Sequence, residues 1–457
     1  MKAIRLKRFK GFEDSNWIQL SGISLLFGLN SSGKTSILNA LFMLKQSLEN
    51  PAFEIPFTFS MRKGVDIGTY KEAIHNGIID NTKPIELWFR VDISEEVEAH
   101  KVSVNTTELE IRIKIGFIQK YEQLVVLSFY VEDAINNKKI FSYHINPRSF
   151  DYFITADIDD PYLLNDLISD GVEWDNFLPY IDIPELKENT VKLLLDIVRK
   201  KTSTFFDTLV HIGPLRSEFG RFHQFSGERP NSVGISGEEA LKMLYLDRHN
   251  KGELTKNVQM WLKRMFNYDY HWSSYKGLFE LLFKTKDGGS VNAKDVGFGV
   301  SQILPVIIQG YYPINQCIVI EQPEIHLHPR AQAELADLFL DIIEKTNKSM
   351  LIETHSEHIL LRLRRRIIEN TLKKYTEQAT ENKEGIENKI SINFIEYKKR
   401  KSQLSYISIN ELGEFKGSTK GFHEFFADDY EESFSMLQSL AEIKKVMKNV
   451  SGSVDGN

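Results

Sequence analysis

One octapeptide near the start of the chain constrains the fold more than any other segment. It reads Gly28-Leu29-Asn30-Ser31-Ser32-Gly33-Lys34-Thr35 and fits the pattern G-x4-G-K-S/T in full. The residues before it, 23–27, form a short apolar run with β character. After it, apolar residues recur at helical spacing, at Ile37, Leu38, Ala40, Leu41, Leu44 and Leu48. This order predicts an α/β fold in which a glycine-rich loop joins a buried strand to a helix.

These residue types suit the phosphates of a nucleotide. Gly28 and Gly33 let backbone N–H groups curl around phosphate oxygens, and the following helix directs its positive N-terminus at them. Lys34 can reach the β- and γ-phosphates, and the Thr35 hydroxyl can ligate Mg²⁺. We therefore predict that the loop binds ATP, or GTP, with Mg²⁺. The remaining predicted contacts come from Asn30, Ser31, Ser32 and Ser36.

A second predicted site lies at the end of an apolar strand. Residues 317–320 read Cys-Ile-Val-Ile, and Glu321 follows them. An acid at the tip of a buried strand needs a partner, and strands of this form hold Mg²⁺ in P-loop enzymes. Beyond it the pattern predicts a helix over 331–344, a strand over 349–352 and a helix over 358–370.

The residues that follow this strand give a specific resemblance. Residues 322–329 read Gln-Pro-Glu-Ile-His-Leu-His-Pro. They resemble the ABC-type ATPase heads of the SMC, recombination-repair and OLD-nuclease group, where the usual strand end is Asp-Glu-Pro-Glu. The resemblance places Glu321 at the Mg²⁺-ligand position and Gln322 at the position of the carboxylate that activates the attacking water. It implies a P-loop head with a mixed sheet flanked by helices and an inserted α+β region.

Gln322 is a departure from that pattern. A glutamine side chain cannot accept a proton, and general-base catalysis typically contributes about 10²–10⁴ in rate. Three consequences stay open for this chain. Hydrolysis is slow, depends on Glu324 instead, or awaits a partner protein.

Two more segments resemble parts of the same heads. Residues 295–302 resemble the signature segment that caps the γ-phosphate of the opposite protomer, through Gly297, Gly299 and Ser301. Because Gly297 stands where a serine is usual, Ser301 is expected to supply the hydroxyl. A strand that ends in Thr-His resembles the switch that senses the γ-phosphate, and this places His355 among the catalytic residues with Gln322 and Glu324.

The resemblance also implies a partner. Two heads would sandwich two ATP molecules, so we expect a homodimer or a higher homo-oligomer formed through head-to-head ATP sites. Residues 211–216 and 227–230, with 407–426, resemble a small bacterial branch with an uncharacterised C-terminal domain. Arg216 lies in the first of these segments and could contact nucleotide, a partner or a surface carboxylate. This branch implies a role in anti-phage defence beside an effector such as a nuclease.

Composition bounds the remaining choices. A net charge of −6 argues against a uniformly basic nucleic-acid coat, and a single cysteine, Cys317, excludes an internal disulfide and fits a cytoplasmic protein. The uncharged stretch 296–320 contains prolines and glutamines, so we interpret it as a buried helix and strand and expect no membrane span. The arginines Arg362, Arg364, Arg365 and Arg366 suit either DNA phosphates or a solvated or intersubunit helix.

Three functions remain in competition. The first is an ATP-switched regulator, the second a non-hydrolysing ATP-bound scaffold, and the third a DNA-repair-type ATPase that binds DNA. The predicted domains are an N-terminal half-head (1–95), an inserted region (96–210), a C-terminal half-head (211–370), a small domain (371–450) and a disordered tail (451–457).

Overall fold

The computed structural model describes most of the chain, with gaps. The described residues are 1–50, 56–61, 64–100, 106–157, 172–182, 190–224, 227–248, 252–285, 287–314, 317–376, 385–417, 420–425, 438–441 and 443. The predicted tail at 451–457 lies outside them.

The chain divides into two compact units that are not continuous in sequence. The first comprises Met1–Leu20, Gly28–Leu209 and Ile395–Ser405. The second comprises Ser21–Phe27, Val210–Phe394 and Tyr406–Asn457.

Runs of consecutive strands make up much of the described sequence, and helices and strands alternate regularly between residues 298 and 376. The helices are α1 (Lys34–Glu49), α2 (Tyr70–Ala73), α3 (Ser94–His100), α4 (Thr190–Asp207), α5 (Ala240–Asp247), α6 (Glu253–Phe266), α7 (Phe298–Tyr311), α8 (Pro329–Lys345), α9 (Glu357–Thr376) and α10 (Lys420–Phe425). The strands are β1 (Ala3–Phe9), β2 (Phe12–Asp14), β3 (Ile18–Gln19), β4 (Ile23–Gly28), β5 (Ile85–Asp92), β6 (Glu108–Ile118), β7 (Gln123–Asp133), β8 (Lys139–Ile145), β9 (Tyr152–Ala156), β10 (Glu173–Asp175), β11 (Leu178–Tyr180), β12 (Leu209–Ile212), β13 (His223–Gln224), β14 (Tyr270–Tyr275), β15 (Leu278–Lys284), β16 (Ser290–Asn292), β17 (Cys317–Glu321), β18 (Ser349–Glu353), β19 (Ile390–Lys398), β20 (Lys401–Ile409) and β21 (Phe415–Lys416).

An antiparallel sheet dominates the first unit. Its order is β2-β1-β5-β6-β7-β8-β9, and β3 also pairs with β1. Strands β5 and β6 alternate apolar and polar residues, so one face buries Leu87, Phe89 and Ile113 while the other carries charges. Helices α1 and α4 pack against each other in the same unit.

A mixed sheet forms the core of the second unit. Its order is β12-β17-β18-β4-β19-β20-β21, with β17, β18 and β4 parallel. Residues 395–405 of β19 and β20 are counted with the first unit. The helices α7, α8 and α9 bury long apolar stripes, and α7 is buried along most of its length. The predicted α/β class, with a mixed sheet flanked by helices, is confirmed.

The predicted strands and helices around Glu321 are also confirmed, with ends that differ by a few residues. The uncharged stretch forms α7 and β17, as predicted. Among the described residues no helix is long and apolar enough to cross a membrane.

The structural division differs from the domain boundaries predicted from sequence. The predicted boundary at 95/96 separates β5 from β6, although all of β5 pairs with residues 108–115 of β6 in one sheet. The small domain expected over 371–450 would begin inside α9 and would remove β19, β20 and β21 from the sheet that contains β4. The sheet formed by β13, β14, β15 and β16 was not predicted from the sequence. Pairing between strands distant in sequence leaves no local pattern, and this explains both differences.

Candidate functional site

The predicted phosphate loop starts where β4 ends. Gly28 has φ 150° and Gly33 has φ 118°, a region that side chains rarely adopt. A Cβ on Gly28 would lie 2.2 Å from the Ile395 carbonyl oxygen, and one on Gly33 would lie 2.6 Å from Ser402 Oγ. Both positions therefore require glycine for two reasons, backbone conformation and lack of space.

The Lys34 side chain forms hydrogen bonds with the backbone of its own loop. Its Nζ donates to the carbonyls of Gly28 (2.8 Å) and Leu29 (2.9 Å), and the residue is buried. Ser32 Oγ is also buried and has no hydrogen-bond partner within the described part of the chain. Ser36 is half-buried, whereas the exposed members of the predicted set are Asn30, Ser31 and Thr35. The loop thus presents an ammonium, a buried hydroxyl and an open threonine hydroxyl at the start of α1.

Glu321 ends β17 in the second unit. Strand register places Glu321 opposite Glu353, and Glu353 opposite Leu26 of β4. The Glu321 carboxylate lies 2.5 Å from His211 Nε2, and its backbone carbonyl accepts a hydrogen bond from Arg216 Nη2 at 2.8 Å. One segment, 211–216, therefore holds Glu321 at both its side chain and its backbone.

Gln322 has an unusual backbone conformation. Its φ is 44°, in the left-handed region that is uncommon for residues other than glycine. Its N–H donates to the Glu353 carbonyl at 2.7 Å, and its carbonyl accepts from the Ile325 N–H at 3.3 Å. These hydrogen bonds to β18 and to the following turn hold the residue in this conformation.

Glu324 and His355 meet behind this turn. Glu324 Oε1 accepts a hydrogen bond from the His355 backbone N–H at 2.7 Å. Burial raises the pKa of Glu324, and the nearby Arg216 guanidinium only partly opposes that effect. The other oxygen, Oε2, is buried without a hydrogen-bond partner among the described residues. A carboxylate with a raised pKa is a better proton acceptor than an ordinary one.

Arg216 is buried inside the second unit, which the sequence did not predict. It is 3% exposed, and burial lowers its pKa to about 10 although Glu324 and Glu321 oppose the shift. Gln302 Nε2 donates to the Arg216 carbonyl at 3.2 Å. The guanidinium therefore lies near the buried carboxylate of Glu324 and the half-buried one of Glu321, and donates to the Glu321 backbone carbonyl rather than to a surface acid. The glycine- and proline-rich sequence around it predicted a structured loop but carried no signal of burial.

The signature-like segment begins α7. Gly297 is the N-cap residue, and no atom lies within 4 Å of a Cβ built on it. A Cβ on Gly299 would lie 3.1 Å from Leu327 Cδ2. Ser301 Oγ donates to the Phe298 carbonyl at 2.7 Å, so its hydroxyl is used inside the first turn of the helix.

The sequence-predicted residues therefore fall into two groups. Glu321, Gln322, Glu324 and His355 lie together in the second unit, at the ends of β17 and β18. The residues 28–36 lie in the first unit. The role of His211 was missed, because only strand pairing shows that it adjoins Glu321.

Each predicted Mg²⁺ ligand carries an oxygen of a suitable kind, Thr35 in the first unit and Glu321 in the second. Mg²⁺ with a nucleotide typically takes one or two protein oxygens together with phosphates and water. Throughout the described ranges no group of three or more His, Cys, Asp or Glu side chains could hold a metal ion alone. A metal that arrives with phosphates does not require such a cluster.

The arginines on α9 each have an intramolecular partner. Arg366 donates to Asp337 at 2.7 Å and also pairs with Glu369. Arg365 donates to Glu369 at 2.8 Å, and Arg362 lies 3.8 Å from Asp337. Arg364 donates to the Gly413 carbonyl at 2.8 Å. Because these arginines are paired within the chain, the arrangement favours the solvated or intersubunit helix over contact with DNA.

Residues 234–360 match the family described as AAA ATPase domain. The matched stretch contains the signature-like segment, Glu321 and His355. A search of curated proteins found no match. The family match, together with the phosphate loop, supports an ATP-binding ATPase.

Three solved structures are similar to this chain at low identity. An SMC head bound to the C-winged helix domain of ScpA is 12% identical, with a TM-score of 0.43, over 89% of this chain and 98% of that one. An SMC head domain from Thermotoga maritima is 10% identical, with a TM-score of 0.36, over 90% and 98%. An Smc head with an extended coiled coil, bound to the C-terminal domain of ScpA derived from Pyrococcus furiosus, is 11% identical, with a TM-score of 0.40, over 89% and 96%. TM-scores below 0.5 add nothing to the assignment.

Proposed function

We propose that this chain is an ATP-switched ATPase that binds Mg²⁺-ATP through residues 28–36. The phosphate loop carries the proposal. Neither Gly28 nor Gly33 has room for a Cβ, and Lys34 and the buried Ser32 hydroxyl lie where α1 begins. Bound ATP would accept from Lys34 in place of the two loop carbonyls.

The proposed Mg²⁺ ligands are Thr35 and Glu321. When bound, Mg²⁺ would neutralise phosphate charge. His211 and Arg216 would keep the Glu321 carboxylate and backbone in place. Gln322 can orient a water molecule through its amide but cannot take its proton. Glu324 is then the proposed base, since its burial favours proton uptake.

Turnover tests this assignment directly. We expect slow ATP hydrolysis by the full chain, and Lys34→Ala should abolish both hydrolysis and tight ATP binding. Lys71→Ala, which removes an exposed lysine of the same unit, is the matched control and should leave both unchanged. ATP binding that survives Lys34→Ala would exclude the phosphate loop as the site.

Gln322 favours a second candidate function, a non-hydrolysing ATP-bound scaffold. The two candidates differ in the effect of Gln322→Glu and Glu324→Gln. For the ATPase, Gln322→Glu should raise the turnover number by about tenfold or more, and Glu324→Gln should lower it. For the scaffold, wild-type protein binds ATP without turnover and Glu324→Gln changes nothing.

The wider role rests on the sequence resemblance. We propose that ATP brings two copies together head to head, with Gly297 and Gly299 of one copy facing the nucleotide of the other. His355 would sense the γ-phosphate. We further propose a role in anti-phage defence beside an effector such as a nuclease. Light scattering with and without ATP checks the dimer, and co-purification with the product of the adjacent gene checks the effector.

A further inference from the structure

A strongly basic turn joins β19 to β20. Residues 397–401, here named the basic turn, read Tyr-Lys-Lys-Arg-Lys. Tyr397 is 58% exposed, and Lys398, Lys399 and Arg400 are exposed as well. The strands end at Lys398 and resume at Lys401, so the connection has two residues.

The backbone of this turn is unfavourable for the residues that form it. Lys399 has φ 51° and Arg400 has φ 63°. Two-residue turns with positive φ at both positions strongly prefer Asn-Gly, because a Cβ is crowded in the left-handed region. Two other two-residue hairpins place glycine at the second position, with Lys10-Gly11 between β1 and β2 and Lys276-Gly277 between β14 and β15. Strain retained at an exposed position points to a function for the side chains.

Part of the positive charge at the turn is not neutralised. Lys398 pairs with Glu396 at 2.7 Å, and Lys401 pairs with Glu13 at 2.7 Å. Lys399 and Arg400, at the apex, have no side-chain hydrogen bond or ion pair to any residue that the structure describes. Two cations therefore project from the apex of a narrow β-ribbon.

The base of the hairpin contacts the phosphate loop within the same unit. The Ile395 carbonyl occupies the space beside Gly28, and Ser402 Oγ occupies the space beside Gly33. The Ser402 N–H also donates to the Gly11 carbonyl at 2.8 Å. A movement of the ribbon would therefore be transmitted to the backbone that surrounds the phosphates.

We propose that the basic turn binds the sugar–phosphate backbone of double-stranded DNA and that this contact is coupled to the nucleotide at the phosphate loop. A two-stranded ribbon can enter the major groove of B-DNA, which is about 12 Å wide, and lysine and arginine are the usual phosphate contacts. Tyr397 adds a hydrogen-bonding hydroxyl beside them. Stable membrane anchoring combines a basic patch with an apolar or lipid anchor, and the turn offers no such anchor besides this tyrosine.

The experiment replaces the apex with the residues that its backbone favours. Lys399→Asn with Arg400→Gly removes both free charges and relieves the strain, so the full chain should stay folded with an unchanged or higher Tm. Binding to a labelled random-sequence duplex should weaken by about tenfold or more at low salt. The slope of log affinity against log salt should fall by about 2, because each phosphate contact contributes about 0.9.

A matched control removes two positive charges elsewhere in exposed turns. Lys276→Asn makes the same first-position change in the β14–β15 hairpin, and Lys120→Gln removes a second exposed lysine. This double variant should keep wild-type DNA affinity and salt slope. Equal DNA affinity of the apex variant and wild type, or an equal loss in the control, would overturn the proposal.

Two further arms separate the alternatives. Binding to phosphatidylserine vesicles that is lost in the apex variant, with DNA binding unchanged, would assign the turn to membranes and overturn the proposal. If the apex variant has a lowered Tm, Lys399→Asn alone replaces it, with an expected slope change of about 1. Coupling predicts that DNA changes the ATP affinity of wild type at least threefold but not that of the apex variant, and identical ATP affinities would refute the coupling.

Discussion

Two stretches of this chain carry four basic residues each, but they differ in how far their charges are paired within the chain. Arg362 to Arg366 lie on a helix, where successive residues point in different directions and acids on α8 and α9 come within reach. Lys398 to Lys401 span a two-residue turn, where the apex projects away from neighbouring elements. The sequence shows similar charge density in both. The contrast teaches that secondary structure decides whether a basic cluster is neutralised internally or presented to a partner.

Two of the four helix arginines, Arg362 and Arg366, share one carboxylate. Asp337 is buried and pairs with Arg366, Arg264 and, at 3.8 Å, Arg362. The charges around Asp337 thus form an internal network and not a binding surface.

The largest expected effect comes from breaking that network. Asp337→Ala leaves several arginines without their acid, and we expect the free energy of unfolding to fall by about 3 kcal/mol. Urea denaturation measures it. The released arginines should then raise DNA affinity at low salt, which would blur the distinction between the two stretches. Glu344→Ala on the same helix is the control and should change stability by less than about 0.5 kcal/mol. If Asp337→Ala also lowers the free energy of unfolding by less than about 0.5 kcal/mol, the network does not contribute to stability.

A smaller effect should follow pH. Burial alone would raise the pKa of Asp337, but Arg366, Arg362 and Arg264 outweigh it and lower that pKa. A lowered folded-state pKa gives stability that is fully present above the unfolded pKa of about 3.9 and is lost as the pH falls through the folded value. The stability gap between wild type and Asp337→Asn should therefore be constant from pH 7 to about pH 5 and narrow below about pH 4. Urea midpoints across this range measure the gap, and a gap that widens in acid would contradict the assignment.

The smallest effect belongs to the turn. Arg400→Gly relieves left-handed strain but adds unfolded-state entropy, so we expect a net gain of only about 0.5–1 kcal/mol in the free energy of unfolding. Thermal denaturation of the full chain checks it. Arg365→Gly on α9 is the opposite control and should lose about 1 kcal/mol, since glycine weakens a helix interior. If Arg400→Gly is destabilising instead, the arginine contributes to the fold and its retention needs no functional explanation.

Sequence reasoning predicted what local pattern controls. The phosphate loop, the strand before Glu321 and the helices after it follow from residue types and spacing that are close together in the chain. The sequence showed that Gln322 departs from the usual acidic residue at its position. Its left-handed backbone could not be predicted, because that conformation depends on hydrogen bonds to β18.

The remainder depends on distant contacts. β12 lies beside β17, and this pairing brings His211 to Glu321. Arg216, four residues after β12, is buried against Glu321 and Gln302, which are distant from it in the sequence. Ser301 was expected to supply the hydroxyl of the signature segment, and the sequence did not show that this hydroxyl donates to the Phe298 carbonyl in the first turn of α7. Residues 390–409 were expected to lie in a separate small domain, although β19 pairs beside β4. None of these pairings leaves a periodic signature in the sequence.

The packing of Ile395 and Ser402 against the glycines of the phosphate loop has a consequence for biosynthesis. The two residues that pack against Gly28 and Gly33 are made more than 360 positions after these glycines. At about 5–20 residues per second, that interval is roughly 20–70 s. During it the nascent chain carries a complete nucleotide-binding motif without its supporting ribbon. ATP capture should therefore begin only after this ribbon has been synthesised, so nascent chains that lack it would not act as switches.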